Sequence, residues 1–191
     1  MSSLLSPPSL VGQSRPLWIF GYGSLLFRPG FPFEEQRPAL VRGYRRRLDQ
    51  GSPDHRGTPV RLGRVATLLH DPESSSGGAV FRVADHHAAE VLEALDHREQ
   101  GGYVRIEIEA ALLDGGAPVL ATTWIATPDN PYHLGPADLQ EMVTQILAAT
   151  GPSGTNLEYV IKLDETLRAL GIDDPHVADI ARALALSARG G

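Results

Sequence analysis

The chain has no cysteine among its 191 residues. Disulfides, thiolate nucleophiles and cysteine-ligated zinc or iron–sulfur centres are therefore excluded, and any nucleophile it supplies has to be an oxygen or a nitrogen. Long apolar runs are missing too: none approaches the roughly 18 residues of a membrane-spanning helix. No basic residue precedes the weak Leu4/Leu5 patch, as one would in a secretory signal. These absences lead us to expect a cytoplasmic protein without a membrane partner. Basic charge is in deficit, with 17 Lys and Arg against 23 Asp and Glu and a formal net charge of −6, so nucleic acid is not an expected partner. A small neutral or zwitterionic ligand suits this charge better.

The chain does have an ordinary globular composition, 42% hydrophobic and 21% charged, which argues against disorder, collagen or coiled coil. Residues 1–16 carry Ser, Pro, Gly and Gln with scattered Leu and Val, too little apolar material to offset the entropy of ordering. We read them as a flexible leader, and 17–191 as a single domain. Short apolar runs at 17–20, 65–69, 79–83, 103–113 and 119–126 read as strands between Gly, Pro, Asp and Ser clusters. In the fourth, Val104, Ile106, Ile108 and Ala110 alternate with Tyr103, Arg105, Glu107 and Glu109, the period of a half-buried strand.

One helix is expected from Asp85, as N-cap, to about His97, with Ala88, Val91, Leu92 and Leu95 on one face. The C-terminal third reads as helical. Leu139, Met142, Val143, Ile146 and Leu147 form one stripe, opened by Gly135-Pro136 and closed by Gly151. Leu157, Val160, Ile161, Leu167 and Leu170 form a second, and a last helix starts at Asp174-Pro175. Strands first and helices last point to an α+β fold, a small mixed, curled sheet or β-barrel with helices packed outside.

Several motifs invite labels that fail. Gly21-Tyr22-Gly23-Ser24-Leu25 lacks the third glycine of a dinucleotide fingerprint and the flanking glycines of a nucleophile elbow. It remains a strand end whose glycines let backbone N–H groups approach a ligand, or an ordinary turn. Gly151-Pro152-Ser153-Gly154 lacks the Gly-Lys-Ser/Thr ending of a phosphate loop and reads as a C-cap followed by an N-cap at Ser153 or Thr155. The His86-His87 pair has no His-x₃-His partner, and a Ser24/His55/Asp54 triad is only formally possible. No metal site and no cofactor are expected. Glu99 stands out: it lacks an i+4 cation and sits at a helix C-terminus, where the macrodipole pushes a carboxyl pKa upward, the direction a base acting on an ammonium needs. The competing reading is a solvated Glu at a frayed helix end.

Taken together, five segments resemble the ChaC family of γ-glutamylcyclotransferases, the glutathione-specific branch. They are Phe20-Gly21-Tyr22-Gly23-Ser24-Leu25, Asp54-His55-Arg56-Gly57, Gly63-Arg64-Val65, Leu95-Asp96-x-Arg98-Glu99-x-Gly101-Gly102-Tyr103 and Gly151-Pro152-Ser153-Gly154-x-Asn156-x-Glu158-Tyr159. The resemblance implies a barrel-like α+β enzyme that cleaves glutathione, its small-molecule substrate, to 5-oxoproline and cysteinylglycine without a cofactor. It also implies that Tyr22, Gly23, Ser24 and Leu25 hold the γ-glutamyl group, that Glu99 is the acid/base, and that Tyr103 and Tyr159 line the pocket. One departure is His133, where the family usually carries Tyr, so the family role of that tyrosine does not transfer directly to Tyr132.

The chemistry agrees with what the chain lacks. A γ-glutamyl group carries its own nucleophile, since its α-amine reaches the γ-carbonyl and closes a five-membered lactam; no enzyme nucleophile is required. Proton transfer falls to one carboxyl group, and oxyanion or α-carboxylate binding to backbone N–H groups of residues 22–25. Arg56 and Arg64 are the candidates for recognising substrate carboxylates. Two other readings stay open on sequence alone: a cyclotransferase for other γ-glutamyl amines or amino acids, and a non-catalytic γ-glutamyl-binding protein.

Overall fold

The protein is described by a computed structural model covering residues 15–99 and 101–187, so the expected leader lies outside the described residues except for its last two positions. Five strands close into a barrel in the order β1-β3-β2-β4-β5: β1 (Leu17–Gly21), β2 (Glu35–Ser52), β3 (Gly63–Val83), β4 (Tyr103–Leu112) and β5 (Val119–Ala126). All pairings are antiparallel except β1 with β5, which closes the barrel in parallel through Ile19 and Thr122. The closure is reinforced by the Thr123 hydroxyl, which donates to the Phe20 carbonyl at 2.8 Å. Closing the sheet leaves no long unpaired edge, and the side chains of Ile19, Phe20, Leu48, Leu68 and Phe81 are buried on its two faces, inside the barrel or beneath the covering segments.

The expected strands at 65–69 and 79–83 are the two ends of one strand, β3. The Asp71-Pro72-Glu73-Ser74 stretch between them is a bulge: Arg42 pairs with Ser75 but Tyr44 already pairs with His70. A proline in a long strand is tolerated where the ladder is interrupted in this way. β2 is absent from the sequence reading because Pro38, Gly43 and the Arg45-Arg46-Arg47 run hide it. In the fold, Arg46 is buried although it lies within a run of three arginines.

The helices α1 (Ala88–Arg98), α2 (Leu139–Ala148), α3 (Asn156–Ala169) and α4 (Pro175–Ser187) pack outside the barrel, with α2, α3 and α4 against one another and against β2 and β3. Asp85 is not the cap of α1; it opens a 3-10 turn, Asp85–His87, that leads into the helix. α2 begins at Leu139 rather than at Gly135-Pro136, because Asp138 and Glu141 form a reciprocal capping box. It ends at Ala148, before Gly151, which lies in a small ribbon of β6 (Thr150–Gly151) with β7 (Gly154–Thr155). Thr155 caps α3, as one of the two expected alternatives. Asp174 caps α4 as expected, accepting from the Val177 N–H at 3.1 Å. The buried stripe of α3 is rotated from the expected one: Asn156, Tyr159, Val160, Leu163 and Leu167 face inward, while Leu157 and Ile161 are only partly buried. That rotation carries Asn156 and Tyr159 to the site.

Candidate active site

A cavity of about 350 Å³ opens at one end of the barrel. Every predicted site residue except Arg64 lines it: Tyr22, Gly23, Ser24 and Leu25 from the turn after β1, Arg56 from the β2–β3 loop, Glu99 from the end of α1, Tyr103 from β4 and Tyr159 from α3. Tyr103 reaches it because the alternation of β4 holds only from Ile106 onward; Val104 is half exposed.

The turn after β1 is a single 3-10 turn, Ser24–Leu26, whose first hydrogen bond runs from the Leu26 N–H to the Gly23 carbonyl at 3.0 Å. The N–H groups of Gly23, Ser24 and Leu25 precede that bond and have no partner within the turn. Tyr22 is buried and its hydroxyl donates to the Trp124 carbonyl at 2.7 Å. Burial, together with the charge of Glu99, raises its pKa well above the ordinary tyrosine value. The Ser24 hydroxyl accepts from the Arg98 guanidinium at 2.8 Å. Its partner is therefore Arg98 and not His55, which contacts Ser153 Oγ at 3.3 Å, so the triad is not assembled.

Glu99 caps the C-terminus of α1, its N–H donating to the Leu95 carbonyl at 2.9 Å, and its side chain is only 18% exposed. Its pKa is raised, as the sequence suggests, but the first cause is loss of water rather than the helix dipole. Arg98, whose Nε lies 3.5 Å from Glu99 Oε1, opposes the shift, and the carboxylate of Asp54 adds to it. Burial likewise lowers the pKa of Arg98, whose guanidinium also donates to the Arg28 and Pro29 carbonyls at 3.1 Å.

The segment joining α2 to α3 and the start of α3 build a further wall. Asn156, fully buried, grips one residue of β3 by both backbone groups: its Oδ1 accepts from the Arg64 N–H at 2.6 Å and its Nδ2 donates to the Arg64 carbonyl at 2.7 Å. Two residues on, the Ala66 N–H donates to the Tyr159 hydroxyl at 2.9 Å, leaving that hydroxyl's own proton available to the cavity. Burial pushes the Tyr159 pKa up to about 12, so the group stays protonated at neutral pH. Glu158 pairs with Arg56 at 3.0 Å, and Arg56 lies over the Tyr159 ring. Gly151 permits this wall to close, since a Cβ there would lie 2.4 Å from the His55 carbonyl oxygen.

Arg64 corrects our expectation. Its guanidinium is buried behind the cavity wall, donating to the Leu48 and Gly135 carbonyls at 3.0 and 3.1 Å and to Gln145 at 2.7 Å, so it staples the barrel to α2 and does not face a ligand. His133 is also outside the cavity lining. His86 and His87 have ring centroids 4.1 Å apart, yet no group of three potential metal ligands occurs among the described residues. Sequence reasoning missed Trp124, whose indole N–H donates to Asp96 at 2.8 Å beneath the cavity, and Asn130, which holds the Gly101 carbonyl at 2.9 Å just after Glu99. The Leu95-Asp96 pair and the Asn130-Pro131 dipeptide were visible in the sequence, but nothing local pairs them with their distant partners.

A closed mixed barrel with helices packed outside it, its cavity lined by a desolvated glutamate and a glycine-rich turn, has the fold of the γ-glutamylcyclotransferase class. Residues 17–186 match the family described as ChaC-like protein, and the chain belongs to that family. It is 38% identical to the glutathione-specific gamma-glutamylcyclotransferase 1 of Danio rerio, over 97% of each chain, and 42% identical to the Homo sapiens protein of the same name, over 91% of this chain and 80% of the relative. Among solved structures, the yeast gamma-glutamyl cyclotransferase specific to glutathione superposes with a TM-score of 0.83 at 30% identity, covering 91% of this chain and 97% of the other. Among the described residues, no helix is long and apolar enough to cross a membrane.

Proposed function

We propose that the chain is a γ-glutamylcyclotransferase that cleaves glutathione to 5-oxoproline and cysteinylglycine. The observation that carries this reading is the buried Glu99 lining the same cavity as the 22–25 turn, in a chain whose relatives bear the names above. In the reaction the α-amine attacks the γ-carbonyl, the new C–N bond closes the lactam, and the γ-amide C–N bond breaks. Glu99 accepts a proton from the α-ammonium and returns it to the departing amine of cysteinylglycine. Its raised pKa suits both halves of that task, since a less acidic carboxyl is a better base and is protonated again more readily. The N–H groups of residues 23–25 hold the α-carboxylate or the tetrahedral oxyanion, and the protonated Tyr159 hydroxyl is a further donor facing the same space. Arg56 stays a candidate for the substrate's carboxylate end, although Glu158 already occupies part of its charge.

Specificity has to come from the leaving group, because every γ-glutamyl substrate presents the same reacting end. One charged hydrogen bond to the glycine carboxylate contributes roughly 1.5–3 kcal/mol. The kcat/KM for reduced glutathione is therefore expected to exceed that for γ-glutamylcysteine by about tenfold to a hundredfold. Equal values, or a preference for the dipeptide, would count against glutathione as the substrate. The lactam closes without a Lewis acid, so activity is expected to survive chelator. Loss in EDTA that a single divalent ion reverses would contradict that expectation.

A further inference from the structure

We propose that Arg46 and Asp174 form a latch that sets the orientation of the Tyr22–Gly23 peptide, making Arg46 a positioning residue for the reaction. The proposal rests on the reading of residues 22–25 as the substrate's cradle. Arg46 lies on β2, is 2% exposed, and does not line the active-site cavity. Its guanidinium is bonded on three sides. Nε donates to the Tyr22 carbonyl at 2.9 Å, one terminal nitrogen donates to the Gly77 carbonyl, and the other donates to Asp174 Oδ2 at 2.5 Å. A buried guanidinium needs all such partners, and here they come from the turn after β1, from β3 and from the cap of α4.

The bond to Tyr22 has a directional consequence. The peptide is trans, so a carbonyl drawn toward Arg46 turns the Gly23 N–H the opposite way. Gly23 lines the cavity and Arg46 does not, so the first donor of the cradle is aimed by a residue that never meets the ligand. Without that bond the peptide could rotate, and the donor would lose its aim while the cavity kept its shape.

Asp174 is brought to this point by a close approach. Ile172 packs onto Gly77, where a Cβ would lie 2.4 Å from Ile172 Cγ2; the absent side chain is what lets the α3–α4 connection dock. Asp174 then uses both oxygens, Oδ1 to cap α4 at the Val177 N–H and Oδ2 to hold Arg46. The C-terminal helix, remote from the cavity, is thus joined to the cradle through one guanidinium.

Three variants separate aiming from mere stability. Asp174→Asn keeps a good helix cap but removes the charge that holds Arg46. Arg46→Met removes the donor to Tyr22, and Arg46→Lys retains a cation able to reach some of the same carbonyls. With glutathione, Asp174→Asn is expected to melt below wild type, because Arg46 loses its counter-charge, and also to lose about tenfold in kcat/KM per folded molecule, and Arg46→Met to lose about a hundredfold per folded molecule. Arg46→Lys should recover part of that loss. The acid limb of the pH–rate profile, set by Glu99, should stay where it is in all three. Wild-type kcat/KM in Asp174→Asn, or losses that only track the unfolded fraction, would overturn the latch; if Arg46→Met does not fold, Asp174→Asn decides. Glu99→Gln measured alongside keeps the two claims apart: if it stays active, the reading of the site fails, whereas if it is dead beside a fully active Asp174→Asn, the latch alone fails.

Discussion

Replacing Glu99 by glutamine is expected to lower 5-oxoproline formation from glutathione by at least about 10²–10⁴-fold, the range that one positioned acid/base supplies. The substitution keeps the shape of the side chain and removes only its capacity to take and return a proton. Folding should not suffer. The folded-state pKa of Glu99 is raised by burial, so the native protein holds that proton more tightly than the unfolded chain. Its contribution to stability therefore falls as pH rises from the ordinary carboxylate value through the raised one. At neutral pH a neutral glutamine relieves the cost of a buried charge, and the melting temperature should equal or exceed that of wild type. The same shift places the acid limb of the wild-type rate profile above the ordinary carboxylate range, because activity is lost as Glu99 becomes protonated. A variant within a few-fold of wild-type activity would show that the proton goes elsewhere.

Asn156→Ala should have the largest effect on stability of any single polar substitution near the site. It leaves the buried N–H and carbonyl of Arg64 without partners, at a cost of about 1–3 kcal/mol for each group, partly offset by relaxation. A net loss of about 2–4 kcal/mol corresponds to a drop in melting temperature of roughly 5–15 °C for a chain of this size. Asn156→Asp should be no rescue, since a carboxylate oxygen would then face the Arg64 carbonyl. Activity should fall beyond the loss of folded protein, because the Ala66–Tyr159 hydrogen bond lies on the same stretch of β3. Thermal unfolding followed by calorimetry, with activity normalised to folded protein, measures both effects. A melting temperature within about 2 °C of wild type would remove Asn156 from the framework of the site.

The sequence was legible where local pattern decides the outcome. β1, β4 and β5, the α1 face at Val91 and Leu95, and the Asp174 cap follow from periodicity and capping chemistry alone. β2 was not legible, because its arginines and glycine resemble a loop until the buried partners of Arg46 and the bulge at 71–74 are known. Glu99 could be singled out from its missing i+4 partner, yet the cause of its shifted pKa is desolvation by elements distant in sequence. Arg64 shows the opposite failure. An arginine beside a strand in a plausible motif looked like a ligand for a carboxylate, and only the three-dimensional placement of Leu48, Gly135 and Gln145 shows that its donors are already used. Tyr159 was expected at the pocket through the resemblance and not from its local pattern, because the face of α3 that turns inward is fixed by packing against the rest of the chain.

Lactam closure and plain amide hydrolysis in this cavity differ in their products. Incubating the purified protein with reduced glutathione and quantifying every product by mass spectrometry tells the two apart. 5-Oxoproline and cysteinylglycine are expected in equal amounts, matching the glutathione consumed, with no free glutamate above the background. Glutamate in place of 5-oxoproline, or glutathione left intact by well-folded protein, would contradict it.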